Sequence, residues 1–331
     1  MKKFYKILAS LFLVFSIGAC GEKETPNGGT LPPHQGPSDD TEQPSTPSEP
    51  EQEEPSLNIL FIGNSFTMDA VTHLPGMLKA AGIKKVHMIH MYYGGRLVQQ
   101  YNSGWKTSDD YTAYECTPGQ DKWTTSKGKT LEQVATSRNW DIVTIQEHTG
   151  SKYAWEWNTE ARSNFKQLVK KVKDSQTKTP KMYYILSQAY QDNAQIGTGS
   201  APKITWTDHT GMWDVVAAFG QQVMANVEFD GIISTGAMLE NLRTTSLNND
   251  LGLSRDGYHM DYGLARYGAS CAVFETLFTP VYDKTLDGNS YRFTESGAGS
   301  TPVTDANAPV ALEAARNAIK NPYTITDMSS K

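Results

Sequence analysis

Five short apolar runs, spread along a chain of 331 residues, constrain the fold more than any other feature. They lie at 57–62, 85–91, 141–146, 181–187 and 230–234 and read as strands. Helical patterns occupy 68–81, 158–174, 211–228, 262–278 and 307–320. Within 211–228, Met212, Val215, Val216, Phe219, Val223 and Val227 recur at helical spacing and make one apolar face. Near-continuous apolar strands alternating with helices predict an α/β fold, a parallel sheet covered on both faces. A ligand site then belongs at the carboxyl ends of the strands. Ser65, Gly94, Gly95, Gln146 and Gln188 all fall at or just after predicted strand ends. No internal repeat is evident.

The amino terminus has the order of an exported lipoprotein. Met1-Lys2-Lys3 is positive, Ile7 to Ile17 is a short apolar core, and Ile17-Gly18-Ala19-Cys20 resembles a bacterial lipoprotein cleavage box. That reading makes 1–19 a signal peptide, Cys20 the lipid attachment point and the bacterial cell envelope the location. Residues 20–56 are rich in Pro, Glu, Thr, Ser and Gly without apolar periodicity, so they predict a disordered acidic linker. Its acidity supplies much of the net charge of −6, and nothing suggests nucleic acid as a partner. Residues 57–331 are long enough for one large domain.

Besides Cys20, the cysteines are Cys116 and Cys271. Outside the cytoplasm they could pair, although Cys271 sits in an apolar helical stretch and reads equally as core. No CxxC or clustered His/Asp pattern suggests a metal site, and no cofactor is expected.

Two motifs carry the chemistry. Gly63-Asn64-Ser65-Phe66 closes the first strand, and Asp256-Gly257-Tyr258-His259 lies far downstream. A serine on a strand-to-helix turn can expose its hydroxyl, but it is a weak nucleophile without a base and an orienting carboxylate. His259 and Asp256, three residues apart, can supply both. The plainer alternatives are that Ser65 caps the helix after it and that His259 is a surface histidine.

These motifs resemble those of the SGNH hydrolases, the GDSL-like lipases and esterases, over roughly residues 57–280. Gly63-Asn64-Ser65-Phe66 stands at the nucleophile block, and Asp256-Gly257-Tyr258-His259 at the terminal Asp-x-x-His block. Tyr93-Gly94-Gly95-Arg96 is similar to the block whose glycine amide lines the oxyanion hole. The resemblance implies a flavodoxin-like three-layer α/β/α sandwich with a central parallel sheet. It also implies Ser65, His259 and Asp256 as the catalytic residues and Gly95 as an oxyanion donor. One block departs from the pattern. Where many members carry Gly-x-Asn-Asp, this chain has Gln146-Glu147-His148-Thr149-Gly150, which makes the Gln146 amide the candidate replacement for the oxyanion asparagine.

Aromatic residues crowd the intervening loops: Tyr92, Tyr93, Tyr101, Trp105, Tyr111, Tyr114 and Trp123, then Tyr153, Trp155 and Trp157, then Trp206 and Trp213. Most pack loops onto the sheet, but a few exposed rings would suffice to bind sugar faces. Asn64, Tyr93, His148 and Trp155 are the candidate substrate contacts. The combination points to a carboxylic ester hydrolase acting on an acylated carbohydrate, a polysaccharide or glycan acetylesterase. The alternatives are a catalytically weak carbohydrate-binding surface lipoprotein and a lipid or small-ester hydrolase.

Overall fold

The structure, a computed structural model, describes residues 53–149, 156–196, 204–205, 207–249 and 251–331. The proposed signal peptide, Cys20 and most of the proposed linker lie outside the described residues, as do Tyr153, Trp155 and Trp206.

The main sheet has the order β4-β3-β2-β1-β5-β6-β9. Its strands are β1 (Leu57–Gly63), β2 (Val86–Tyr92), β3 (Thr112–Cys116), β4 (Thr124–Lys127), β5 (Ile142–Gln146), β6 (Lys181–Leu186) and β9 (Gly231–Ser234). A separate antiparallel pair joins β7 (Gln195–Ile196) to β8 (Ile204–Thr205). The five strands expected from the apolar runs are the ones that pair in parallel, as β2-β1-β5-β6-β9. In β1, Ile59, Leu60, Phe61 and Ile62 are all fully buried, as a strand covered on both faces requires. Strands β3 and β4 extend the sheet antiparallel beyond β2 and were not expected. The exposed Thr124-Thr125-Ser126-Lys127 of β4 has no apolar signal at all.

The helices are α1 (Ser65–Val71), α2 (Leu74–Ala80), α3 (Val98–Ser103), α4 (Leu131–Ala135), α5 (Thr159–Asp174), α6 (His209–Asn226), α7 (Thr235–Arg243), α8 (Leu264–Leu277), α9 (Thr279–Tyr282) and α10 (Ala308–Lys320). They flank the sheet in two groups. Helices α1, α7, α8 and α10 pack with one another, and α3 packs with α5, which meets α6 through Phe165 and Phe219. The single helix expected over 68–81 is two helices. Pro75 lacks the N–H that would continue the hydrogen-bond ladder, so α1 stops at Val71 and α2 restarts with Pro75 in its first turn. Cys116 and Cys271 are both buried and free, so the pairing left open by the sequence is not made.

Strand order fixes where chemistry can happen. From β1 the sheet continues to β2 on one side and to β5 on the other. The loops leaving the carboxyl ends of β1 and β5 therefore diverge and open a crevice at this switch point. His90 of β2 braces it from below, its Nε2–H donating to the carbonyl of Gly63 at 2.9 Å.

The His90 ring is wholly buried, and burial pushes its pKa down to about 4 from the ordinary 6.5, against the Gly63 carbonyl, which favours the charged form. The fold thus stabilises neutral His90. That contribution is fully present above about pH 6.5 and is lost as pH falls toward 4, at roughly 1.4 kcal/mol per pH unit. A His90→Gln variant keeps a donor but not the titration. The stability difference between wild type and His90→Gln, from denaturant unfolding, should therefore shrink by that amount per unit from pH 6.5 downward. A pH-independent difference would refute neutral burial of His90.

Candidate active site

The nucleophile turn begins at Gly63. A β-carbon there would lie 2.0 Å from Thr67 Oγ1 and 2.8 Å from Gln146 Oε1, so only glycine lets the turn close on β5. Asn64 caps α1. Its Oδ1 accepts from the N–H of Phe66 at 3.0 Å, and its Nδ2 donates to the carbonyl of Arg96 at 3.1 Å. With the cap supplied by Asn64, the hydroxyl of Ser65 is released from that duty. Ser65 is the first residue of α1 and is half-buried.

The hydroxyl faces His259. Ser65 Oγ lies 2.7 Å from His259 Nε2, and His259 Nδ1 lies 2.7 Å from Asp256 Oδ2. A carboxylate only accepts, so Nδ1 carries the proton and Nε2 is left to accept from the serine. The other Asp256 oxygen accepts the backbone N–H of His259 at 2.9 Å and of Tyr258 at 3.3 Å. Burial alone would raise the Asp256 pKa. The imidazole and these amides outweigh burial and hold it below the ordinary carboxylate value, which keeps it ionised.

The tight turn that joins Asp256 to His259 is heavily fixed. Gly257 takes a left-handed φ of 97°. Ser254 Oγ accepts from the Gly257 N–H at 2.9 Å and donates to the His259 carbonyl at 2.8 Å. From the end of β6, Gln188 Nε2 donates to the Tyr258 carbonyl at 2.9 Å and the Gln191 N–H to the Gly257 carbonyl at 2.9 Å.

Among the described residues, no hydrogen bond takes up the N–H of Ser65 or of Gly95. The Asn64-to-Arg96 bond draws the Gly94-Gly95 loop against the nucleophile turn. Gly95 has a φ of 68° with open space where a β-carbon would stand.

Gln146 does not take the oxyanion role expected of it. Its Oε1 accepts from the Asn64 N–H at 3.0 Å and Thr67 Oγ1 at 3.2 Å, while its Nε2 donates to the Glu147 carbonyl. Those partners fix which end is oxygen and which is nitrogen, and they spend the amide inside the protein. Gln146 is a fully buried strap between β5 and the nucleophile turn. Asn64 is likewise fully buried and committed, so it positions Ser65 and is not a substrate contact as expected.

His148 does reach the site. Its ring lies 5.2 Å from Phe66, which in turn lies 5.5 Å from His259. Burial and the nearby His259 hold its pKa down to about 4, so it is neutral. Tyr93 is exposed, with the Arg96 guanidinium carbon 3.9 Å from its ring centre. Trp155 lies outside the described residues. Tyr101, Trp105, Tyr111 and Trp213 are buried packing residues. The sequence reading passed over Tyr258, whose ring centre is 4.4 Å from that of His259, and Asp69, buried one helical turn beyond Ser65. Placement inside the Asp-to-His motif and the four-residue spacing were the signals for them.

Comparisons give the geometry a context. A family model described as "Domain of unknown function (DUF4886)" matches residues 58–311. A crystal structure of a DUF4886 family protein from Bacteroides uniformis is similar at TM-score 0.67 and 22% identity, over 83% of this chain and 98% of that one. A gut microbial diltiazem-metabolizing enzyme aligns at TM-score 0.38 and 14% identity, over 70% of this chain and 47% of that one. An extracellular lipase from Streptomyces rimosus aligns at TM-score 0.31 and 10% identity, over 62% of this chain and 93% of that one. No curated protein sequence matches the chain.

The strap role of Gln146 is testable. Gln146→Ala leaves the buried Asn64 N–H without its acceptor, which should lower the free energy of unfolding by about 2 kcal/mol in denaturant titration. Unchanged stability would remove the strap from the account of this turn.

Proposed function

We propose that this chain, which belongs to the DUF4886 family, is a serine esterase that removes O-acetyl groups from a polysaccharide or glycan. The observation that carries the reading is His259 poised between Ser65 and Asp256, 2.7 Å from each. Ser65 Oγ attacks the ester carbonyl as His259 Nε2 takes its proton. The carbonyl oxygen becomes an anion facing the N–H groups of Ser65 and Gly95. Collapse of the tetrahedral intermediate breaks the C–O bond to the sugar, and His259 returns the proton to the departing hydroxyl. Water, deprotonated by the same imidazole, then cleaves the acetyl-serine and releases acetate. Asp256 stabilises the imidazolium formed in both steps. This triad chemistry supports placing the chain with the SGNH-like hydrolases.

A large substrate is supported by access. The Asp256 side chain is 38% exposed, so the triad opens at the surface. Tyr258 beside His259 and Tyr93 on the oxyanion loop are 39% and 37% exposed. These rings offer apolar faces with hydroxyl edges, a surface suited to sugar rings. The lipidated Cys20 and cell-envelope location read from the amino terminus would tether such an enzyme beside extracellular glycans.

Acetate release from acetylated xylan, acetylated pectin and 4-nitrophenyl acetate tests the proposal. Ser65→Ala and His259→Ala should each lower kcat/KM by about 10⁴-fold or more while the melting temperature stays within a few degrees. Asp256→Asn should lose as much or less, since it acts through the tautomer of His259. Tyr258→Ala should raise KM for a polymer while sparing the aryl acetate. Hydrolysis that survives Ser65→Ala would sink the serine mechanism, and activity on the aryl ester alone would sink the glycan.

A further inference from the structure

Resting on the esterase reading, we propose that Asp69 is a positioning residue that holds the catalytic histidine against the nucleophile. Ser65 and Asp69 are four residues apart on α1 and so share a face of the helix. Ser65 points at His259, whereas Asp69 is fully buried and grips the chain on either side of the Asp256-to-His259 turn. Its Oδ1 accepts from Arg255 Nη1 at 2.9 Å, and Arg255 immediately precedes Asp256. Its Oδ2 accepts from the N–H of Met260 at 3.1 Å, and Met260 immediately follows His259. Arg255 Nη1 also donates to the Met260 carbonyl, which closes the turn on itself.

A third grip comes from α8, where Arg266 donates to Asp69 Oδ1 through Nε at 2.8 Å, with Nη2 at 2.7 Å. Both guanidiniums lie under the Tyr262 ring, 4.8 and 4.9 Å from its centre, which confines them further. One carboxylate thus ties the helix that carries the nucleophile to the turn that carries base and orienter, across almost two hundred residues of sequence. None of its contacts is to Ser65, His259 or Asp256 themselves. Its effect on the reaction is therefore to set the Ser65-to-His259 separation, and misplacement of a reacting pair by about 1 Å costs on the order of 100-fold in rate.

The test is a double-mutant comparison on the full chain with 4-nitrophenyl acetate, each rate normalised to the serine titrated by a fluorophosphonate burst. Asp69→Asn keeps the shape and removes the charge. Its kcat should fall about 30- to 100-fold per titrated serine, with KM within about twofold. In a His259→Ala background, where the serine is no longer activated for titration and the residual rate is taken per folded chain, the same change should cost nothing further, because the separation it sets no longer matters. Arg255→Lys, which keeps the cation but not the fork, provides the reading if Asp69→Asn fails to fold, and should lose about 10-fold in kcat. Unchanged kcat per titrated serine in the variant that folds overturns the positioning role and leaves the esterase standing. An equal loss in the His259→Ala background overturns it as well. A wild-type chain with neither turnover nor a titratable serine overturns the esterase reading, and the positioning role with it.

Discussion

The carboxyl end of β1 is the point on which the rest of the site depends, and what it depends on is the missing side chain of Gly63. With no β-carbon there, the Gln146 carboxamide and the Thr67 hydroxyl close over the backbone, and the N–H of Asn64 finds its acceptor inside the protein. From this single close approach follow the direction of α1, the release of the Ser65 hydroxyl and the seating of the Gly94-Gly95 loop through Asn64. The sheet supplies the setting. Its order reverses between β1 and β5, and the turn sits in the crevice that reversal opens.

His73, His90 and His148 are largely buried and held neutral, each with a pKa near 4. The ring nitrogens of His73 and His90 serve structure: His73 bridges the Tyr291 hydroxyl and the Tyr262 carbonyl, and His90 supports Gly63. Among the described residues, His259 alone has a carboxylate at one ring nitrogen and a serine hydroxyl at the other. A neutral His148 behind Phe66 completes the wall without adding a competing cation. The full negative charges near the turn are likewise assigned, Asp256 to the imidazole and Asp69 to two arginines.

The legible parts of the molecule were those specified locally. All five parallel strands were read within a residue or so, because continuous apolar runs are what a doubly covered sheet demands. The proximity of Ser65, His259 and Asp256 was readable because each sits in a short motif, and the structure brings the three within hydrogen-bond reach of one another in series. What could not be read was decided by tertiary contact. The antiparallel extension takes its place by pairing, β3 with β2 and β4 with β3, and the sequence of β4 is wholly polar. Gln146 was assigned a donor role from its place at a strand end, but the buried N–H of Asn64 claimed its oxygen first. An unpaired buried amide costs about 1–3 kcal/mol, more than a contact reserved for substrate returns to the resting fold. The split between α1 and α2 falls at Pro75, a residue that the helix expected over 68–81 ran through.

The aromatic residues show why composition alone reads a binding surface poorly. Tyr101 and Tyr111 stack at 5.6 Å and enclose the Arg96 guanidinium, whose centre is 4.6 Å from the Tyr111 ring. Together with Trp105 they are buried and hold the long connection after β2 in place. That packing is what allows Tyr93, resting on the outer side of Arg96, to stay half-open beside the oxyanion loop. Tyr258 is exposed for a different reason. The turn that must deliver His259 to Ser65 spends the backbone on Asp256 and Gln188, and the intervening side chain is turned outward, tilted against Tyr190 and the imidazole. The exposure of Tyr93 and Tyr258 is thus a consequence of how their loops are held.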